Sequence, residues 1–303
     1  MNRDAVLVPL PGFEPLAASV TGMDIVRPIC ARFRNREIAV RLPRQVADRD
    51  CVLLGTAAPP AERLIELLLA ADTLTRNGAQ SVCAMLPYLA YARQDHPEPG
   101  HSLAAAWLGR ALSAAGVGAV TTIDIHSEAA RELIGLPVAS LSPARLFTRA
   151  LADTISAETV VVAPDRGAVT RAREMADALG VERPVAWLDK ERTAPGVTHA
   201  RILGELDRNA IVVDDILDTG GTLLSCCHEL RSHGVKGLTI AVTHGLFTGS
   251  AWHALGDLGV DTIHTTDSIP AVWLRASRLV RVHSIAPLLA EALAQPVTLQ
   301  VND

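Results

Sequence analysis

Short apolar runs recur along this chain, each followed by a polar break and then by a segment with apolar positions three and four apart. The runs at residues 5–8, 51–56, 81–86, 119–125, 159–163, 211–213, 238–243 and 262–265 have the length and aliphatic content of buried strands. The segments between them carry a helical period. The clearest opens after Pro59-Pro60 and sets Leu64, Leu67, Leu68, Ala71 and Leu74 on one face. Further helices are predicted at 14–20, 102–115 and 168–179, from Leu223 through Leu230, and at 286–293 after a last strand at 280–284. Two departures interrupt the pattern. Residues 31–42 predict two strands joined by a polar turn. The stretch 132–147, where Pro137 and Pro143 bracket a non-helical connection, marks a crossing point beyond which the alternation restarts. Strand–helix alternation of this kind builds parallel sheets. The fold class expected is α/β, with two similar domains (1–145 and 146–303), each a mainly parallel sheet flanked by helices.

Composition narrows the functions open to such a fold. The 303 residues suffice for two cores, 49% of them are apolar, and the net charge is −5 without a basic run. With aromatic residues at only 3%, a nucleic-acid groove of clustered cations and stacking rings is not expected. Cys30, Cys51, Cys83, Cys226 and Cys227 show no CxxC spacing and read as buried thiols in a reducing compartment. No apolar run has transmembrane length and the first residues carry no apolar leader, so no membrane partner and a cytoplasmic location are expected.

The chemistry concentrates at the predicted C-terminal ends of strands, where ligands bind in parallel α/β folds. The densest stretch is 211–222. There an apolar run, read as ending at Asp214, leads into Asp214, Asp215, Ile216, Leu217, Asp218, Thr219, Gly220, Gly221 and Thr222. A glycine turn that converges backbone N–H groups at a helix start cradles a phosphate. Carboxylates beside it suit sugar hydroxyls or Mg²⁺. The other polar clusters are Arg93-Gln94-Asp95, His126 after Asp124, Asp165, and Lys190 with Arg192. Two cations two residues apart, on a loop bounded by Pro195-Gly196, suit phosphoryl transfer, in which the protein positions groups and neutralises developing charge. Neither a Walker A pattern nor GxGxxG is present in the sequence.

The nine residues from Asp214 to Thr222 resemble the PRPP-binding signature of the type I phosphoribosyltransferase fold. Further stretches, 87–95 (PYLAYARQD), 122–127 (TIDIHS), 160–167 (VVVAPDRG), 189–192 (DKER) and Thr243-His244, resemble the ribose-phosphate pyrophosphokinase (PRPP synthase) family, in the same order over nearly the whole chain. That resemblance implies transfer of a diphosphoryl group from MgATP to the C1 hydroxyl of ribose 5-phosphate, with Mg²⁺ as cofactor. It implies that Asp218, Thr219, Gly220, Gly221 and Thr222 bind the 5-phosphate and that Asp214 and Asp215 hold the ribose hydroxyls. By the same likeness His126 and Asp165 lie with the metal, Arg93, Gln94 and Asp95 contact ATP, and Lys190 and Arg192 stabilise the transition state. Phe33, Asn35 and Glu37 match an element that reaches the adenine of a neighbouring subunit, which implies a homo-oligomer, dimer-based and up to a hexamer.

Two segments depart from the family. Its base-binding element reads Phe-Pro-Asp-Gly-Glu, whereas Asn35 exchanges an acceptor-only carboxylate for an amide that also donates. The stretch after Asp95 lacks the family's fixed cations and carries His96 and His101. These departures keep open a non-catalytic regulatory subunit of a synthase, and the central motif alone also fits a phosphoribosyltransferase that consumes PRPP.

Overall fold

The computed structural model describes residues 5–194, 197–270 and 277–294, the side chains of 190–200 excepted. They divide into two compact units, one of residues 5–141, 268–270 and 285–294, the other of residues 142–267 and 277–284.

The first unit is built on β1 (Val6–Pro9), α1 (Glu14–Ala18), β2 (Asp24–Ile25), β3 (Ile29–Arg32), β4 (Ile38–Arg41), β5 (Asp50–Leu54), α2 (Glu62–Arg76), β6 (Ser81–Met85), α3 (Ala104–Ala114), β7 (Ala119–Ile123), α4 (Glu128–Ile134) and β8 (Val138–Leu141). Six strands form a wholly parallel sheet in the order β2-β1-β5-β6-β7-β8. Its central runs are aliphatic on both faces because both faces are covered: every residue of β1 is buried, as are Val52, Leu53 and Leu54 of β5. Amphipathic α2 buries Leu64, Leu67, Ala71 and Leu74, the predicted face except for half-buried Leu68. The expected hairpin of residues 31–42 is present as antiparallel β3–β4, outside the main sheet.

The second unit contains α5 (Ala144–Leu151), β9 (Thr159–Ala163), α6 (Val169–Leu179), β10 (Ala186–Ala194), β11 (Val197–Leu203), β12 (Asn209–Leu217), α7 (Gly221–Ser232), β13 (Gly237–Gly245), α8 (Ala254–Asp257), β14 (Thr262–Thr266) and β15 (Val280–His283). The final helix, α9 (Ala286–Ala294), belongs to the first unit. Seven strands run β11-β10-β9-β12-β13-β14-β15, parallel apart from the β10–β11 ribbon. Two-residue alternation divides central β12 between two cores: Ala210 and Val212 join one hydrophobic cluster, Ile211 and Val213 the other.

Three local expectations are corrected. Residues 132–147 are not a non-helical connection: α4 and α5 flank β8, a four-residue edge strand whose half-buried Val-Ala-Ser-Leu carries too short an apolar signal to stand out. The charged segment after Leu188 continues β10 instead of opening a loop, and pairs with β11 through Lys190 opposite Ala200 and Arg192 opposite Thr198. Residues 195–196 lie outside the described residues. Finally β12 includes Asp214 as expected but does not end there: Asp215, Ile216 and Leu217 continue the strand, with Ile216 and Leu217 paired to His244 and Gly245 of β13.

Gly109 sets how closely α3 approaches α4: a Cβ built there would lie 1.8 Å from the carbonyl oxygen of Ile134. Gly109→Ala must push the two helices apart. The expected cost is about 1–3 kcal/mol, read as a lower urea midpoint at unchanged m-value. An unchanged midpoint would show that the contact does not constrain the packing.

Candidate active site

In the first unit the chain turns after β6 and β7 to bring Arg93, Gln94, Asp95 and Ser127 into one neighbourhood. The loop doubles back through Tyr91, which holds a positive φ of 69° and accepts a hydrogen bond from the Gln94 N–H at 3.0 Å. The exposed Gln94 side chain accepts from Ser102 Oγ at 2.7 Å, and its carbonyl accepts from the Ala105 N–H at 3.3 Å, which ties the loop to the start of α3. Asp95 is buried. Its carboxylate accepts from the Ser127 hydroxyl and lies 2.8 Å from His96 Nδ1. The same Ser127 Oγ accepts from the Ala130 N–H at 3.0 Å, capping α4. Burial pushes the Asp95 carboxyl up, but the Ser127 hydroxyl, His96, the backbone and His126 pull harder and hold it below its ordinary value. Arg93 and His126 are exposed. The His101 ring lies 2.7 Å from Glu98, so both histidines that follow Asp95 engage neighbouring carboxylates.

In the second unit the carboxylates gather at the C-terminal ends of β9 and β12. Asp165 follows β9 and accepts from the Ala168 N–H at 3.2 Å, fixing the turn into α6. Asp214 Oδ1 accepts from the Asp215 N–H at 2.9 Å, and Asp215 is buried. Burial, then the charge and hydrogen bond of Asp215, drive Asp214 well above the usual carboxylate range. Arg171 on α6 works against that rise and Asp165 adds to it. Three acids and one guanidinium within electrostatic reach suit a ligand that brings hydroxyl donors or a cation.

Beyond Leu217 the chain turns through Asp218, Thr219 and Gly220 into α7. Gly220 holds φ at 93°, and a Cβ there would meet the Trp252 backbone at 2.9 Å, so both conformation and space require glycine. Around Gly221 there is open space. Helix α7 begins at the N-cap Gly220, which has no side chain to cap it. Its first-turn N–H groups have no intrahelical acceptor and face the exposed Thr219, Gly221 and Thr222 with the positive end of the helix dipole. This is an anion cradle.

The structure therefore gathers Gln94, Asp95 and the exposed Arg93 and His126 within the first unit. In the second it gathers Asp165 with Asp214 and Asp215, and the turn from Asp218 to Thr222 adjoins them through β12. Phe33, 60% exposed, and Asn35 lie on the β3–β4 turn, where Asn35 Oδ1 accepts from the Glu37 N–H at 3.2 Å. Lys190 and Arg192 occupy positions on β10, and their side chains lie outside the described residues. Sequence reasoning missed Ser127, Arg171, Thr248 and Trp252. Ser127 alone left a signal, as an N-cap residue directly before a helix.

Residues 11–116 match the family model for the N-terminal domain of ribose phosphate pyrophosphokinase, and residues 143–265 match the phosphoribosyl transferase domain. The chain is 36% identical to the ribose-phosphate pyrophosphokinase of Mycoplasma pneumoniae over 270 residues, 86% of this chain and 82% of that one. It is 35% identical to the enzyme of the same name from Thermotoga maritima, over 86% of this chain and 84% of the relative. Its structure is similar to the crystal structure of phosphoribosylpyrophosphate synthetase from Mycobacterium smegmatis, with a TM-score of 0.85 and 30% identity over 96% of this chain and 98% of that one.

Asp95 yields a pH prediction. Its folded pKa lies below the ordinary 3.8, so its ionised form stabilises the fold above the unfolded value, and that contribution is lost as pH falls through the folded pKa. Asp95→Asn should lower the denaturation midpoint at pH 7, and the gap to wild type should close as the pH is taken below about 3.8. A gap that stays constant over that range would rule out an ionised Asp95 as its source.

Proposed function

Because the chain belongs to the ribose-phosphate pyrophosphokinase family, we propose that it transfers the diphosphoryl group of ATP to the C1 hydroxyl of ribose 5-phosphate, giving PRPP and AMP. The single observation that carries this reading is the glycine turn into the N-terminus of α7, adjoining a strand that carries Asp214 and Asp215 near its C-terminal end. One ligand with a phosphate at one end and hydroxyls a few ångströms along its ring satisfies both parts. In the reaction the sugar oxygen bonds to the β-phosphorus of ATP. The bond from that phosphorus to the bridging oxygen of the α-phosphate breaks, AMP leaves, and the hydroxyl proton is lost.

The residues take the following parts. The turn from Asp218 to Thr222 holds the 5-phosphate through backbone N–H groups and the two threonine hydroxyls. Asp214 and Asp215 orient the ring hydroxyls. The unit of residues 142–267 and 277–284 thus forms the sugar-phosphate domain, and the unit of residues 5–141, 268–270 and 285–294 the nucleotide domain, with Arg93, Gln94 and Asp95 toward ATP. The boundary falls at 141, with the C-terminal helix crossing back, in place of the expected division at 145. Lys190 and Arg192 neutralise charge that develops on the transferred group. Phe33, Asn35 and Glu37 meet the adenine of a nucleotide held by a second subunit, in a dimer-based assembly of up to six copies.

Among the described residues no three His, Cys, Asp or Glu side chains converge as a metal cage. This donor set fits Mg²⁺, which keeps several waters and is held by one or two carboxylates plus substrate phosphates. Asp165 and His126 are the protein groups we assign to it, and when bound it supplies charge neutralisation on the polyphosphate. No described helix is long and apolar enough to cross a membrane, and we place the activity in the cytoplasm.

Release of AMP from MgATP should depend on ribose 5-phosphate, and Lys190→Ala should lower kcat by roughly 10²–10³-fold, the range for loss of one group aimed at transition-state charge. AMP formation indifferent to ribose 5-phosphate, or a variant as fast as wild type, would overturn the assignment. No turnover at all would favour the regulatory-subunit reading.

A further inference from the structure

The loop that carries Arg93, Gln94 and Asp95 follows β6, and His126 follows β7. Pairing of the two strands, with the Ile123 N–H donated to the Pro87 carbonyl at 3.2 Å, fixes the roots of both loops. Farther out, Gln94 ties the first loop to the start of α3 through Ser102 and the Ala105 N–H. Asp95 ties it to the start of α4, because its Oδ2 accepts from the Ser127 hydroxyl. Of the groups bonded to this carboxylate, His96 and the Asp95 backbone belong to the loop itself, and Ser127 is the one that reaches another element. One oxygen thus serves two ends. Ser127 Oγ accepts from the Ala130 N–H at 3.0 Å, which fixes it on α4, and gives its own proton to Asp95. The anchor is firm, since α4 is locked against α3 at Gly109. Ser127 also directly follows His126 in the chain.

We propose that Ser127 is a positioning residue for the nucleotide: its hydroxyl latches the loop of residues 93–95 to the start of α4, and so sets the ATP contacts against His126, the group assigned to the metal. The inference rests on the function proposed above and adds a residue to it. The bond is shielded, with Asp95 buried and Ser127 half-buried, so water does not readily replace the donor. Without that donor a buried carboxylate is left short of a hydrogen bond. It is drawn toward solvent, and Arg93 and Gln94 shift with the backbone beside it. Glycine at 127 accommodates the extended φ of −154° and is nearly as good an N-cap as serine, so it removes the latch while disturbing the helix start least.

The test is calorimetric titration of magnesium α,β-methylene-ATP, whose bridge between the α- and β-phosphorus cannot be cleaved, into the full-length protein, with steady-state constants measured alongside. Ser127→Gly should weaken binding about tenfold, the equivalent of roughly 1.4 kcal/mol. It should raise KM for ATP by a similar factor while KM for ribose 5-phosphate stays put. Ser127→Thr keeps both acceptor and donor and should bind like wild type. Asp95→Ala removes the other end of the latch, and in that background Ser127→Gly should cost little more, because both changes delete one interaction. A Ser127→Gly protein that binds as tightly as wild type overturns the inference, as does a Ser127→Thr protein that binds no better than Ser127→Gly. An equal rise in both KM values also overturns it, because that marks a loosened domain. So do additive losses in the double variant, which place the effect of Ser127 somewhere other than Asp95. Wild-type protein that does not bind the analogue overturns the proposed function, and the inference with it.

Discussion

The second unit depends on a helix that opens from a glycine N-cap, Gly220. Among the helices with a described N-cap, α4 alone uses the N-cap side chain, Ser127, to satisfy an N–H group. Helix α7 opens from a glycine held at positive φ against Trp252. That arrangement fixes a glycine turn whose left-handed conformation only glycine adopts without strain. The surrounding structure bears it: β12 is fastened to β9 and β13 on either side, and the turn after β13 locks onto Leu217. A cradle that is preorganised by the sheet does not need to be assembled by the ligand.

The acids next to the cradle follow the same logic. Asp214 and Asp215 are strand residues, so backbone pairing with β13 fixes where their side chains start. Burying them together with Asp165 is electrostatically unfavourable, as the raised Asp214 shows, and Arg171 relieves only part of it. Such a cluster becomes favourable when a ligand supplies donors or positive charge, as a ring of hydroxyls and a divalent cation do. In the first unit the opposite solution is used. Asp95 is given its own donors, Ser127 and His96, and behaves as a settled carboxylate that shapes a loop. The histidines after it are likewise engaged by Asp95 and Glu98, which gives this segment a local network in place of fixed cations.

How much of this could be read from the residues alone varies with the range of the interaction. The buried strands β5, β6, β9 and β12 were legible because parallel strands covered on both faces carry uninterrupted aliphatic runs. The cradle was legible because turn, glycines and helix start are contiguous. Strand β8 was hidden by its length and its flanking prolines. The β10–β11 ribbon was hidden because Asp189, Lys190, Glu191 and Arg192 carry no apolar alternation, and a two-stranded extension at a sheet edge does not need one. The extension of β12 beyond Asp214 through Asp215 went against strand propensity, and tertiary pairing overrode it. Ser127 and Thr248 act on Asp95 and Asp218 across 32 and 30 positions of sequence, and no local pattern reports such contacts.

The most direct test follows the label of ATP carrying ³²P at the γ-position during incubation with ribose 5-phosphate. The account predicts that the label appears in a pentose product bearing a diphosphate, in step with unlabelled AMP. Label recovered as orthophosphate or on a monophosphorylated sugar, with ADP as the nucleotide product, would contradict it.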